Sequence, residues 1–121
     1  MDEDAPPTGS PTGEKLAAVL PVADLDGAVA YYRAVLGVEP TFVDGDRWAQ
    51  FDLGGTRLAL AGSDRTADAA GVMVKVADVE AARGALVAAG LDAGPVEQGA
   101  HERRCTLTSP DGHAVTLYST P

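Results

Sequence analysis

This chain of 121 residues has few cysteines, few basic residues and no long apolar run, and each shortage excludes a type of bond, location or partner. With Cys105 as the single cysteine, no internal disulfide can form. The longest apolar run, residues 16–23, is far short of the roughly 20 residues that cross a bilayer, so no membrane association is expected. The N-terminus lacks the basic and then apolar layout of a signal peptide. A cytoplasmic protein is the simplest interpretation.

The shortage of basic residues bears on partners. Nine Lys and Arg residues stand against eighteen Asp and Glu residues, which gives a formal charge of −9. Because nucleic-acid binding depends on neutralising phosphates, no nucleic-acid partner is expected. The charge mildly favours a cationic ligand, although solubility alone is the more common reason for an acidic surface. No glycine-rich phosphate loop, CxxC motif or nucleophile–base pair occurs, and no cofactor is expected.

What the chain does contain is an internal repeat. The sequence Val-Ala-Asp-Leu at 22–25 returns as Val-Ala-Asp-Val at 76–79, an offset of 54 residues. Each copy follows a short apolar run and opens a segment whose apolar residues have helical spacing. The first helical stripe is Ala28, Val29, Tyr32, Val35 and Leu36. The helix caps are predicted at Asp24 and Asp78, and the helix stops at Gly37 and Gly90.

Short strands are predicted around both helices, so the chain is expected to be of the α+β class, with the order βαβββ used twice. The strands are placed near 15–22, 38–43, 47–53 and 56–61, then near 71–76, 92–98, 102–108 and 113–118. Turn signals such as Asp44-Gly45 and Gly54-Gly55 separate them. Since each module has one amphipathic helix, one face of each sheet is covered and the other is free to line a groove.

The domain boundaries follow from composition and from the repeat. Residues 1–13 are rich in Pro, Gly, Asp and Thr and are expected to form a disordered tail, the alternative being an arm that is ordered only by a partner. Residues 14–121 are expected to form a single domain. Within it, module one spans 14–62, a linker spans 63–70, and module two spans 71–121.

Two motifs carry a family resemblance. One is Leu20-Pro-Val-Ala-Asp-Leu25 leading to Tyr31-Tyr-Arg-Ala-Val-Leu-Gly37, and the other is Ser109-Pro-Asp-Gly112 followed by Val115-Thr-Leu117. With them the chain resembles the vicinal oxygen chelate superfamily, which includes glyoxalase I, bleomycin-resistance proteins and extradiol dioxygenases. The resemblance covers nearly everything from residue 15 onward. It implies tandem βαβββ modules whose curved mixed sheets enclose a cavity, and, since many members are dimers, a homodimer.

The resemblance also locates four positions that hold the metal in metal-dependent members, one on each of four strands. Here they fall at Ala17, Ala59, Gly71 and Thr116. Family members use His, Glu or Gln at these places, because divalent cations bind carboxylate oxygen or imidazole nitrogen. A register error of one residue would offer no better donors. No metal ligand is therefore expected, and the resemblance implies the branch that binds small molecules without metal, typified by antibiotic-sequestering proteins.

Strand alternation separates the groove face of each strand from its helix face. The residues expected to bind a ligand are Trp48, Gln50, Arg57, Met73, Lys75, Arg104, Thr116 and Tyr118. Trp48 could stack on a flat ligand, or it could instead cover an edge or a dimer interface. Arg57 could hold a ligand carboxylate, although a cross-strand pair with Asp52 is slightly favoured.

No catalytic residue is identified. Of the two histidines, His113 follows a turn and is assigned a structural role. His101 could act as a general base if its loop folds over the groove, but a solvated loop histidine is the more common case. Cys105 is predicted to be buried and inert.

The sequence thus favours metal-independent binding of a small aromatic molecule in the groove between the modules, for example antibiotic sequestration or self-resistance. The alternative is a metal-free isomerase, cyclase or lyase in a natural-product pathway. Such an enzyme would need a groove residue of perturbed pKa, and the candidates are Lys75, Arg104, Tyr118, Asp52 and His101. A third interpretation is a domain that has retained no ligand.

Overall fold

A computed structural model describes residues 13–121 of the chain, so the tail predicted at residues 1–13 lies outside the described residues except for Gly13. Two helices and eight strands follow in the predicted order βαβββ–βαβββ, which confirms the α+β class. In module one they are β1 (Lys15–Pro21), α1 (Leu25–Leu36), β2 (Phe42–Asp44), β3 (Trp48–Leu53) and β4 (Thr56–Ala61). In module two they are β5 (Gly71–Lys75), α2 (Val79–Ala88), β6 (Glu97–Gln98), β7 (Arg103–Thr108) and β8 (Ala114–Ser119). No helix in residues 13–121 has the length and apolar character needed to span a membrane.

Both helices begin at the predicted aspartates. The Asp24 carboxylate accepts a hydrogen bond from the N–H of Gly27 at 3.1 Å. The Asp78 carboxylate accepts from two N–H groups of its helix, at 3.0 and 3.2 Å. Such caps satisfy donors that have no partner inside the helix. Gly37 ends α1 with a φ of 72°, and Gly90 follows α2 with a φ of 92°, the left-handed conformation that glycine adopts without strain.

The eight strands form one curled sheet in the order β2-β3-β4-β1-β5-β8-β7-β6. Its centre is a seam, the antiparallel pairing of β1 and β5, the first strands of the two modules. The seam pairs Ala18 with Val72, and these residues are separated by the spacing of the sequence repeat. The internal two-fold axis therefore passes through this pair. Each first strand also runs parallel to the last strand of its own module.

Each helix covers the outer face of its own module and builds a separate core. In module one, α1 buries Leu25 and Val29 against Ala49, Phe51 and Leu60 of the sheet. In module two, α2 packs on the buried residues Val76, Cys105, Leu107 and Leu117. Cys105 is buried as predicted, and burial raises the pKa of its thiol. Because both helices lie outside the sheet, the concave face remains available.

Some details differ from the sequence prediction. The strands expected near 38–43 and 92–98 shrink to β2 and β6, because Pro40 and Pro95 cannot donate to a ladder. Val35 is 60% exposed although it belongs to the predicted helical stripe. At 3.6 residues per turn, Val35 lies about 120° around the helix from Val29, which places it at the edge of the apolar face.

Candidate functional site

The concave face of the sheet encloses a cavity of about 230 Å³ between the modules. Beneath the cavity lies a cluster of buried residues, Ala17, Ala59 and Met73, which we call the floor. Met73 also lines the cavity, as do Trp48 and Tyr118, which pack against this cluster. Small-molecule sites are typically about 300–1,000 Å³ and mostly apolar, so this cavity suits a compact ligand. The floor crosses the seam, and both modules contribute to it.

The side chains expected to bind a ligand meet in this cavity. Its lining includes all eight of them: Trp48, Gln50, Arg57, Met73, Lys75, Arg104, Thr116 and Tyr118. They come from β3, β4, β5, β7 and β8. Alternation along each strand was therefore sufficient to assign their face.

Other lining residues were missed. Lys15 on β1 belongs to the cavity wall, and its alternation with Ala17 was the signal that could have identified it. Phe42, on the short edge strand β2, also lines the cavity. The segment 62–70 contains neither helix nor strand, yet its residues Asp64, Arg65 and Thr66 lie along the cavity. No periodicity could have indicated these contacts.

The four positions at which a metal would be expected do not suit one. Ala17 and Ala59 lie buried in the cavity floor and have no donor atom. A Cβ on Gly71 would collide with the backbone carbonyl of Ala114, so no side chain fits there. Thr116 contributes one hydroxyl, which is a poor donor set for a divalent cation. Within residues 13–121, no group of three or more His, Cys, Asp or Glu side chains is placed to hold a metal ion.

Arg57 and Asp52 form the expected cross-strand pair, with Nε of Arg57 donating to Oδ1 of Asp52 at 2.9 Å. The hydroxyl of Thr41 donates to Oδ2 of the same carboxylate at 2.6 Å. These two hydrogen bonds hold the pKa of Asp52 below its ordinary value, and the pair raises the pKa of Arg57. Burial raises the pKa of Tyr118, although the adjacent Arg57 opposes this rise. Tyr118 is therefore a neutral hydrogen-bonding group at physiological pH.

Arg104 forms an ion pair with the segment 62–70, which joins the two modules. One of its terminal nitrogens lies 3.2 Å from a carboxylate oxygen of Asp64 and 3.2 Å from one of Glu102. Nearby, the hydroxyls of Thr66 and Thr116 are 3.4 Å apart. These contacts hold the segment 62–70 along the cavity, and they engage one terminal nitrogen of the guanidinium with two carboxylates.

The two edges of the curled sheet meet at the mouth of the cavity. His101, in the loop before β7, has its Nε2 atom 2.7 Å from Oδ2 of Asp44, at the end of β2. Its ring stands edge-on to Phe42 with the ring centres 5.6 Å apart. Arg47 donates to both oxygens of Asp44, at 3.0 and 2.9 Å. We call Phe42, Asp44, Arg47 and His101 the latch; it places His101 beside the cavity, with one ring nitrogen engaged.

The latch should respond to acid. Hydrogen bonds from Arg47 and then from His101 hold the pKa of Asp44 below its ordinary value of 3.8. A carboxylate with a depressed folded-state pKa stabilises the fold above its unfolded pKa, and this contribution is lost as the pH falls through the folded pKa. Asp44→Asn should therefore lower the urea unfolding midpoint at about pH 6, and its difference from wild type should be smaller at about pH 2.5.

The control for this measurement is Asp92→Asn, which removes an exposed carboxylate outside the ion pairs of residues 13–121. It should leave the unfolding midpoint unchanged at both pH values. A destabilisation by Asp44→Asn that persisted undiminished in acid would contradict the assignment, because the lost interaction would not depend on the charge of Asp44.

Comparison with known proteins agrees with this architecture. The model of the Glyoxalase/Bleomycin resistance protein/Dioxygenase superfamily matches residues 16–117. Among curated proteins, none matches the sequence. A Legionella pneumophila structure described as an NAD-dependent benzaldehyde dehydrogenase has a TM-score of 0.78 at 16% identity, covering 88% of this chain and 99% of the other.

Two further structures share the fold. A variant methylmalonyl-CoA epimerase of Streptomyces coelicolor, in complex with 2-nitronate-propionyl-CoA, has a TM-score of 0.67 at 20% identity, with 92% and 99% of the two chains covered. A glyoxalase/bleomycin resistance protein/dioxygenase superfamily member from Vibrio splendidus has a TM-score of 0.64 at 17% identity, with 87% and 97% covered. At such identities the likeness concerns the fold alone.

Proposed function

Since the chain belongs to the glyoxalase/bleomycin resistance protein/dioxygenase superfamily, we propose that it binds a small aromatic molecule in the cavity between its modules, without a metal ion. One observation carries the proposal: two of the four positions suited to metal ligands are Ala17 and Ala59, small apolar residues of the floor, against which the only tryptophan packs. Sequestration of an antibiotic, including self-resistance, is a role that such binding would serve.

Trp48 is the main recognition element of the proposed site. Its indole is half-buried against the floor, and its Nε1 lies 3.3 Å from the side-chain oxygen of Gln50. The floor residues Ala17 and Ala59 are small, buried and apolar, so the layer beneath the cavity has no polar side chain at these two positions. Aromatic pairs gain about 0.5–1.5 kcal/mol beyond the burial of their area. The thioether of Met73 can adapt to the shape of the ligand.

A few polar groups would then orient the ligand, as is usual in pockets of this kind. Gln50 can offer its amide nitrogen, and Thr116 and Tyr118 can offer their hydroxyls. Arg57 and Arg104 are held by carboxylates on the cavity wall and give that wall a fixed shape. Lys75 also lines the cavity and is the last of the residues that we assign to the ligand.

Binding is favoured over metal-free isomerase, cyclase or lyase chemistry by the state of four of the five candidate catalytic groups, all except Lys75. General acid–base catalysis is most efficient with a pKa near the working pH. The pKa of Asp52 is lowered and that of Tyr118 is raised, so both move away from neutrality. Nε2 of His101 is engaged by Asp44, and Arg104 is paired with two carboxylates.

The test uses N-phenyl-1-naphthylamine, a neutral aromatic probe whose fluorescence rises in apolar surroundings, on protein dialysed against a chelator. We expect binding that adding divalent cations does not strengthen. Trp48→Ala should weaken the affinity about tenfold, as loss of roughly 1.4 kcal/mol implies. Tyr31→Ala, which removes a 62%-exposed aromatic ring on α1, is the matched control and should leave it unchanged. Equal affinities in the two variants, or binding that required a cation, would overturn the proposal.

A further inference from the structure

The chain has only two lysines, and the fold places them side by side. Lys15 and Lys75 are directly opposite partners in the seam between β1 and β5. Both line the cavity, so both lie on the same face of the sheet. Like charges directly opposite on antiparallel strands destabilise a sheet. This pairing is therefore costly for the empty protein and becomes favourable when an anion lies between the two ammonium groups.

The carboxylates that line the cavity pair with an arginine and not with the lysines. Five cationic side chains but only two carboxylates, Asp64 and Glu102, line the cavity of a protein whose formal charge is −9. Both of those carboxylates pair with Arg104. The other two lining arginines have acids of their own, Arg57 with Asp52 and Arg65 with Asp68. Among the ion pairs formed within residues 13–121, none includes either lysine.

A neutral donor lies beside the pair. Tyr118 is the direct partner of Lys75 in the pairing of β5 with β8, and it lines the same cavity. Because burial keeps its phenol protonated, it can donate a hydrogen bond to an anion. Ammonium and phenol donors on adjacent strands are a suitable arrangement for a carboxylate, sulfonate or phosphate oxygen.

We infer that Lys15, Lys75 and Tyr118 form an anion subsite at one end of the cavity, so that the ligand is an aromatic molecule bearing an acidic group. The inference rests on the proposed function, since it specifies the ligand of the same cavity. It also reverses the mild preference for a cationic ligand that the overall charge suggested, because the local charge of the cavity is positive.

The experiment compares two probes that differ in one group. 8-Anilino-1-naphthalenesulfonate is N-phenyl-1-naphthylamine with an added sulfonate. We expect wild-type protein to bind the sulfonate at least about tenfold more tightly, as a charge-assisted hydrogen bond implies. In the double variant Lys15→Gln/Lys75→Gln, the ratio of the two affinities should fall by the same factor. A ratio that stays at its wild-type value in this variant would overturn the inference.

A matched control removes the same charge elsewhere. Arg33→Gln/Arg103→Gln deletes two cations that pair with Glu39 and Glu80 and do not line the cavity. It should leave the ratio of affinities within about twofold of wild type, because screened charges outside the site act weakly. A loss equal to that of the lysine variant would mean that net charge alone attracts the sulfonate, and would also overturn the inference.

A second measurement separates the subsite from the proposed function. Reductive methylation with ¹³C-formaldehyde labels both lysines and keeps their charge, and inorganic phosphate is then titrated by NMR. Saturable shifts of both lysine signals would support the subsite even if the neutral probe failed to bind. That failure would contradict only the proposed aromatic site. If neither signal shifted saturably while the neutral probe still bound, the result would contradict only the subsite.

Discussion

Replacing Gly71 by alanine is expected to destabilise the fold by about 3 kcal/mol, at the upper end of what overpacking costs. The reason is steric: a Cβ at this position would collide with the carbonyl oxygen and carbon of Ala114. Gly71 and Ala114 are partners in the parallel pairing of β5 with β8, so the obstacle is backbone that cannot rotate away. Urea unfolding followed by circular dichroism would measure the difference.

Gly84→Ala is the matched control, since the chemical change is the same. Gly84 lies inside α2, and nothing lies within 4 Å of the Cβ it would gain. Alanine in a helix interior is more stable than glycine by about 0.5–1 kcal/mol, so this variant should be more stable than wild type. Two variants of equal stability would contradict the close approach of β5 and β8 at this point.

Replacing Phe51 by alanine is expected to cost about 3–5 kcal/mol, the usual loss for a large aromatic side chain removed from a core. Phe51 is 1% exposed and is among the largest fully buried side chains. It stands in the module-one core, between α1 and the sheet. Because natural domains are stable by only about 5–15 kcal/mol, the loss should be visible as a large fall in the denaturant midpoint.

The only other phenylalanine provides the comparison for Phe51. Phe42 is 40% exposed and contacts His101 in the latch. Phe42→Ala should cost less than about 1 kcal/mol, since much of its ring is not transferred out of water on folding. A similar loss in the two variants would contradict this expectation, because the latch would then contribute as much to stability as the core under α1.

Much of the fold could be predicted from the sequence because the helix caps, the internal repeat and the strand alternation all indicated the same elements. The repeated Asp24 and Asp78 predicted both helix starts, and each carboxylate caps a helix in the structure. Alternation along the strands placed Trp48, Arg57 and Tyr118 on the cavity face, because a strand that is covered by a helix on one side can present only the other. The same repeat located Gly71, whose steric restriction only the structure could show.

The contacts that the sequence did not predict depend on how strongly the sheet curves. Alternation assigns a face to a side chain but says nothing of how far the sheet curls. The approach of His101 to Asp44 joins opposite edges of the sheet, and the pairing of Asp64 with Arg104 depends on the path of an irregular segment. Lys15 is the exception among the missed residues, because its alternation with Ala17 along β1 could have placed it on the cavity face.

The seam has a consequence for the order of folding. The hairpins β3–β4 and β7–β8 join segments close in sequence, whereas β1 and β5 must meet across a long stretch of chain. Closing a long loop costs entropy that is recovered only after the contact forms, so distant pairings delay folding. The cavity floor spans this seam, and each module alone holds only part of the lining. A ligand can therefore select only the fully assembled chain, and by mass action it would draw late intermediates toward the native state.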